Sequence, residues 1–377
     1  MKMKKITALL LALVMSLSLA ACGGDRASVG GSTPAPTEPA AQTSESADGD
    51  GQAVVLDENG DVYAEVEDAD APTEYPVTLT DQAGREVTIE AKPETLVSGY
   101  YISTSLCIAL GLQDQLVGIE AKADTRPIYA RSAPGLLELP SVGTAKEFDL
   151  EGCAALAPDL VILPLKLQDA ADSLAELGIP ALVVNPEDQT LLEEAMALVA
   201  AATDTRARAA QLADFTVKQQ NRLTELLADA ERPSVYLAGN SDFLSTAGGA
   251  MYQSSMIEMA GGRNVAQEIT DTYWASVSYE QILTWNPDYI VLASDADYTV
   301  EDVMTDPNLA GCKAVENGNV LQIPGDAEAW DSPVPGGILG SVWLSGALHP
   351  DLGIDGENMQ IINEFYETFY GFTYQEI

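Results

Sequence analysis

Two stretches of this chain, 129 residues apart, carry one pattern. The first reads Glu151-Gly-Cys-Ala-Ala-Leu-Ala-Pro158-Asp159-Leu-Val-Ile-Leu163, the second Glu280-Gln-Ile-Leu-Thr-Trp-Asn-Pro287-Asp288-Tyr-Ile-Val-Leu292. A helix does not run comfortably through the residue before a proline, so each copy reads as a short helix, a break and a strand. Four apolar or β-branched residues without alternation suit a strand covered on both faces, as in a parallel sheet. The same helix–strand unit in each half of the chain predicts two similar lobes.

With 377 residues and 46% hydrophobic content the chain has room for two cores. Its formal charge of −40 argues against nucleic-acid binding, because phosphate contacts need a basic footprint. The four cysteines, Cys22, Cys107, Cys153 and Cys312, form no Cys-x-x-Cys. That removes the zinc-ribbon and thioredoxin-like readings, and leaves the last three as small buried apolar residues.

The N-terminus reads as an address and an anchor. A basic start with Lys2, Lys4 and Lys5 precedes an apolar run over 6–20, too short and wrongly flanked for a mature membrane span. The run ends in Leu19-Ala20-Ala21-Cys22, which resembles a bacterial lipobox. There Cys22 would take a diacylglycerol group and become the first mature residue; ordinary cleavage near Ala21 is the alternative. Acyl chains hold a protein to a bilayer without crossing it. Residues 1–21 are thus a lipoprotein signal peptide, and 22–74 a flexible acidic tether with thirteen acidic residues against Arg26. Within the tether, the runs 54–56 and 62–66 are expected to pair as a hairpin.

The body alternates strands and helices. The pattern predicts a hairpin over 77–89, then strands over 95–98, 116–119 and 181–184 with helices over 102–110, 170–177 and 191–202 between and after them. Such alternation implies right-handed crossovers and a mostly parallel sheet. Residues 204–231 differ. Leu212, Phe215, Gln219, Leu223, Leu226 and Ala230 fall at helical spacing, Thr203 or Asp204 is placed to cap the start, and Pro233 ends the run. This predicts one rigid helix of about 27 residues, roughly 40 Å long, linking a lobe over 75–203 to a lobe over 232–377.

These residues together resemble a known family, the substrate-binding lipoproteins of ABC importers for iron–siderophore complexes, cobalamin and haem. The resemblance rests on Asp81-Gln-Ala-Gly-Arg85, Ala109-Leu-Gly111, Val142-Gly143 leading to Leu150-Glu151, and Pro158-Asp159. It continues through Ala260-Gly-Gly262 with Asn264-Val265-Ala266, Tyr279-Glu280, Asn286-Pro287-Asp288 and Leu348-His-Pro350. It implies an α/β fold: two Rossmann-like lobes joined by a single long helix, with the ligand cleft between them. It implies no enzyme activity, no cofactor and a monomer held outside the cytoplasm on the bacterial membrane, working with a permease and its ATPase. The implied ligand is a small metal chelate or macrocycle: an iron–siderophore complex first, a corrinoid or haem behind it.

Glu151 and Glu280 each fall in the first turn of a helix, after Asp149 and Ser278. A carboxylate there gains about 0.3–1 kcal/mol from the helix dipole, which is reason enough for its presence. The resemblance adds a second role, docking of one Glu per lobe onto permease arginines.

In open α/β sheets ligands lie outside the carboxyl ends of the strands. Those ends bring forward Tyr100, Tyr101, Lys146 and Lys166 from the first lobe, and Asn240, Trp330 and Asp331 from the second. Tyr252, Tyr273 and Trp274 join them as flat apolar walls, with core packing as the alternative for any one aromatic. Five of the basic residues after Cys22 are Lys122, Arg126, Arg131, Lys146 and Lys166. They are either a cationic lining for an anionic chelate or scattered surface charge. With His349 as the sole histidine, capture of a bare metal ion is not expected. An anchored enzyme or a surface adhesin remains as a rival, although no Gly-x-Ser-x-Gly, His-Glu-x-x-His or Walker A sequence is present.

Overall fold

A computed structural model describes residues 71–272 and 274–374, together with Ala69 and two short strands, β1 (Val54–Leu56) and β2 (Val62–Glu65). The signal segment, Cys22, the tether before β1, the turn over 57–61 and Tyr273 lie outside the described residues. Strands β1 and β2 pair antiparallel, as the hairpin expectation had it, with Val54 opposite Glu65.

The entry hairpin pairs β3 (Val77–Thr80) with β4 (Glu86–Ile89). Its turn is organised by buried Asp81, whose Oδ1 accepts the amides of Ala83 at 3.0 Å and Arg85 at 2.9 Å. The other oxygen accepts the Arg85 guanidinium and the amide of Val183, each at 3.0 Å. The turn therefore closes over the free edge of a strand that would otherwise expose unpaired backbone groups.

That strand belongs to the first lobe's sheet, built from β5 (Leu96–Ser98), β6 (Leu116–Gly118), β7 (Leu160–Pro164) and β8 (Ala181–Val184) in the order β6-β5-β7-β8. All three pairings are parallel. The second lobe's sheet contains β9 (Ser234–Ala238), β10 (Ser245–Ala247), β11 (Arg263–Asn264), β12 (Trp274–Ser276), β13 (Tyr289–Leu292) and β14 (Val320–Gln322). Its order is β12-β10-β9-β13-β14, with β11 also on β9. The β10 and β12 pairings are antiparallel, and neither strand is visible in the sequence pattern. Each has three residues, too short for an alternation to stand out.

The two copies of the repeat lie in separate sheets, at β7 and β13. Leu160–Leu163 and Ile290–Leu292 are fully buried, which is what an unbroken apolar run requires. The break before each proline is left-handed rather than extended: Ala157 has φ 48° and Asn286 φ 46°. Each Pro-Asp carboxylate then clamps the neighbouring strand. Asp159 Oδ2 accepts the Glu94 and Thr95 amides and the Thr95 hydroxyl, all at 2.9 Å. Asp288 Oδ2 accepts the Ser234 amide at 2.8 Å and the Ser234 hydroxyl at 2.7 Å. The motif fixes the register of β7 on β5 and of β13 on β9.

Burial pushes the Asp288 carboxyl up, but Lys313 and Ser234 outweigh it and hold it at about 2. A depressed carboxyl adds stability that is complete above the unfolded-state value of about 3.9 and lost as pH falls through about 2. Asp288→Asn should therefore lower Tm by a constant amount from pH 7 to about pH 4, with the gap to the native chain closing below that. A gap that stays constant down to pH 2 would remove this account.

The linking helix runs over Arg206–Leu226, 21 residues and about 31 Å, shorter than expected at both ends. The preceding helix, Gln189–Thr203, ends in Asp204 with φ 58° and ψ 45°, so Asp204 terminates one helix instead of capping the next. Its carboxylate is taken by the Thr73 amide at 2.7 Å and by Lys92 at 2.8 Å. Leu212, Phe215, Gln219 and Leu223 form the buried face. The helix packs on Gln189–Thr203 from the first half, and on Tyr252–Met259 and Ile338–Leu348 from the second. Arg208 donates to the Ala109 carbonyl at 3.0 Å, and Arg222 to Asn358 at 3.0 Å. These contacts on both halves suit a strut better than a loose hinge.

Candidate ligand cleft

At the carboxyl ends of β9 and β13 the chain opens a pocket of about 470 Å³. Asn240, Ser241 and Asp242 follow β9, and Ser294 follows β13. Trp274 on β12 forms one wall, Met251 and Gln253 another, and Ala329, Asp331 and Ser332 close the floor. The strand-end rule predicted this position.

Asp331 is the organising group. It is 3% exposed, yet its Oδ1 accepts the Ser294 hydroxyl at 2.6 Å and its Oδ2 the Ser294 amide at 3.3 Å. Its backbone carbonyl accepts Gln253 Nε2 at 2.7 Å. Burial raises its carboxyl above the usual range, and the Ser294 donors offset part of that rise.

A smaller space of about 40 Å³ lies between the lobes, with Tyr101, Ser105, Arg126 and Tyr129 on one side and Asp295, Glu328 and Ala329 on the other. Tyr100 starts the helix Tyr101–Ala109, and the Tyr100 and Tyr101 rings meet edge to face at 5.1 Å. The Arg126 guanidinium sits 4.2 Å from the Tyr101 ring centroid, a cation–π contact. The lobes are latched beneath it. Ser105 donates to Glu328 and shares a hydrogen bond of 2.8 Å with Tyr370. Burial pushes the Glu328 carboxyl up to about 7.

The predicted site residues divide. Asn240, Trp274 and Asp331 line the large pocket, and Tyr101 lines the interlobe space. Tyr100 is half-buried beside it. Tyr252 is 6% exposed and packs where its hydroxyl would meet any side chain at Gly337. Trp330 is corrected: it is 1% exposed, donates its indole N–H to the Tyr366 hydroxyl at 2.8 Å and packs against Tyr374. It is a core residue rather than a cleft wall.

None of the basic residues of 122–166 lines the large pocket. Arg126 enters the interlobe space, Arg131 is held by Asp326 at 3.3 Å and lies over Phe372, and Lys122, Lys146 and Lys166 are exposed. Gln253, Met251 and Ser245 had no sequence signal, since polar and apolar residues at a helix start and a short strand are ordinary. Among the described residues no group of three or more His, Cys, Asp or Glu is placed to hold a metal ion. His349 is buried at a helix end, its ring 3.2 Å from the Ala260 carbonyl. Cys107, Cys153 and Cys312 are buried free thiols, as expected.

Glu151 and Glu280 are both exposed in the first turns of their helices. Asp149 caps the first through the Gly152 amide at 2.9 Å, and Ser278 the second through the Gln281 amide at 3.2 Å.

A profile of the periplasmic binding protein family matches residues 96–327. A molybdate-binding protein of Haemophilus influenzae is 27% identical over 324 residues, covering 79% of this chain and 92% of its own length. A vitamin B12-binding protein of Yersinia pestis is 29% identical over 219 residues, 58% of this chain and 72% of its own. A periplasmic solute-binding protein from Veillonella parvula superimposes with a TM-score of 0.70 at 26% identity, over 80% of this chain and 94% of that one.

Proposed function

This chain belongs to the periplasmic binding protein family, type III, and on that premise we propose that it delivers a preformed metal complex of the iron–siderophore kind to an ABC importer. Its general role, extracytoplasmic substrate-binding component of such an importer, follows from the family. The observation that carries the ligand class is the large pocket: roomy, walled by Trp274, rich in hydroxyls and amides, and without a metal-ligand cluster among the described residues. A metal entering it would come already chelated.

The relative named for molybdate supports a second reading, an oxyanion. The pocket speaks against it, because Asp242 and Asp331 line it and no Lys or Arg does. Carboxylates repel a dianion that would seek cationic donors. Corrinoid and haem stand between the two readings, since Trp274 offers a flat apolar surface to either.

Two further assignments belong to this reading. Glu151 and Glu280, one on each lobe and both exposed, are the permease-docking residues. Cys22 carries the lipid anchor that keeps the protein beside its permease.

Tryptophan fluorescence of the detergent-solubilised full chain tests the ligand class. A ferric tris-hydroxamate should quench saturably at micromolar concentration or below, with cobalamin, haem and molybdate weaker by about tenfold or more. Saturation by molybdate alone would transfer the assignment to oxyanions. A flat response to all four would remove the ligand class altogether.

A further inference from the structure

The large pocket is unbalanced in its hydrogen-bonding groups. Gln253 is 7% exposed and its Nε2 is committed to the Asp331 carbonyl. That bond fixes the orientation of the amide, because the flipped form would set oxygen against oxygen. Oε1 is therefore the acceptor end, and no donor reaches it among the described residues. Beside it the buried Asp331 carboxylate receives the hydroxyl and amide of Ser294 and its own backbone amide. A carboxylate has about four lone-pair sites, so it can still accept a further donor. No Lys, Arg or His pairs with Asp331 among the described residues, and none lines the pocket. Asp242 adds a second carboxylate to the rim, and Asp295 stands near Asp331.

A buried carboxylate without a cation and a buried amide oxygen without a donor both carry a desolvation cost. Both costs fall if the arriving molecule brings positive charge and N–H donors. We propose that this pocket receives a protonated amine of the ligand between Asp331 and Gln253, with Trp274 against the amine's alkyl stem. The inference rests on the binding-protein reading and narrows its substrate class to metal complexes bearing an alkylammonium group. The field of a strongly acidic protein favours the approach of such a cation.

The test uses small probes, so that it is decided whether or not an iron complex is the natural cargo. Pentylammonium and pentanoate are titrated into the full chain at matched ionic strength, with tryptophan fluorescence as readout. Pentylammonium should give a saturable response in the millimolar range that disappears in Trp274→Phe, and pentanoate none. In Asp331→Asn the pentylammonium affinity should fall by about tenfold. If that variant melts well below the native chain, Asp242→Asn, which alters an exposed rim residue, should weaken the probe by about threefold. The proposal is overturned by equal responses to the two probes, by a response that persists in Trp274→Phe, or by carboxylate variants that bind pentylammonium as tightly as the native chain. Failure here leaves the chelate titration standing, and failure of the chelate titration leaves this result standing.

Discussion

Replacing Glu151 and Glu280 together with alanine should abolish uptake while leaving ligand affinity within about twofold and Tm within about 2 °C. The asymmetry follows from magnitudes. Within the protein each carboxylate sits exposed in a first helical turn, where the helix dipole contributes about 0.3–1 kcal/mol, and Asp149 and Ser278 supply the caps whether or not the Glu is present. Against a permease arginine, removing one partner of a desolvated charge pair costs about 2–5 kcal/mol. Two such losses leave little docked complex. Each single variant should transport at an intermediate rate, and arginine at either position should be worse than alanine because it sets like charges together. Radiolabelled uptake in cells, run beside a fluorescence titration and a melt of the same variants, checks all three. Normal uptake by the double variant would end the docking assignment, and a collapse of Tm would show the residues to be structural.

Trp330 and Trp274, two of the four tryptophans of the second lobe, should behave in opposite ways. Trp330→Ala should lose about 3–5 kcal/mol of stability, a fall in Tm of roughly 5–10 °C. It empties a fully buried site and leaves the Tyr366 hydroxyl without its indole donor. Trp274→Ala, at a residue 37% exposed on an edge strand, should change Tm by about 1 °C or less and weaken the ligand by about tenfold. Denaturant melts and titrations of the pair decide the matter. A ligand defect without a stability defect in Trp330→Ala would return that residue to the cleft.

The contrast shows how far the chain could be read unaided. Both tryptophans lie near the ends of elements facing the cleft, and in sequence nothing ranks one above the other. The burial of Trp330 depends on the terminal helix Asp355–Tyr370, which carries Tyr366 and arrives from the far end of the chain. The second repeat was legible because its signals are local. A proline, an acid after it and an unbroken apolar run each act on their immediate neighbours, and Asp159 and Asp288 do the same work in both lobes. The linking helix was legible in its buried face and not in its ends. Leu226 and Ala230 continue the spacing, yet the helix stops at Leu226, because the spacing of apolar residues carries no information about backbone beyond the packed turns.

From the order of residues alone come the two lobes, the helix between them, the position of a pocket at the strand ends and the family. All four follow from periodicity, helix breaks and chain connectivity, which are properties of short segments. Folding in three dimensions decided which side chains form the pocket. Asp331 meets Ser294 across 37 residues and Gln253 across 78. Such meetings depend on the rotation of one element against another, and no short segment encodes that. The polarity of the site belongs to the same class. Five basic residues close together in sequence dispersed to different surroundings, and the pocket was left to carboxylates and hydroxyls.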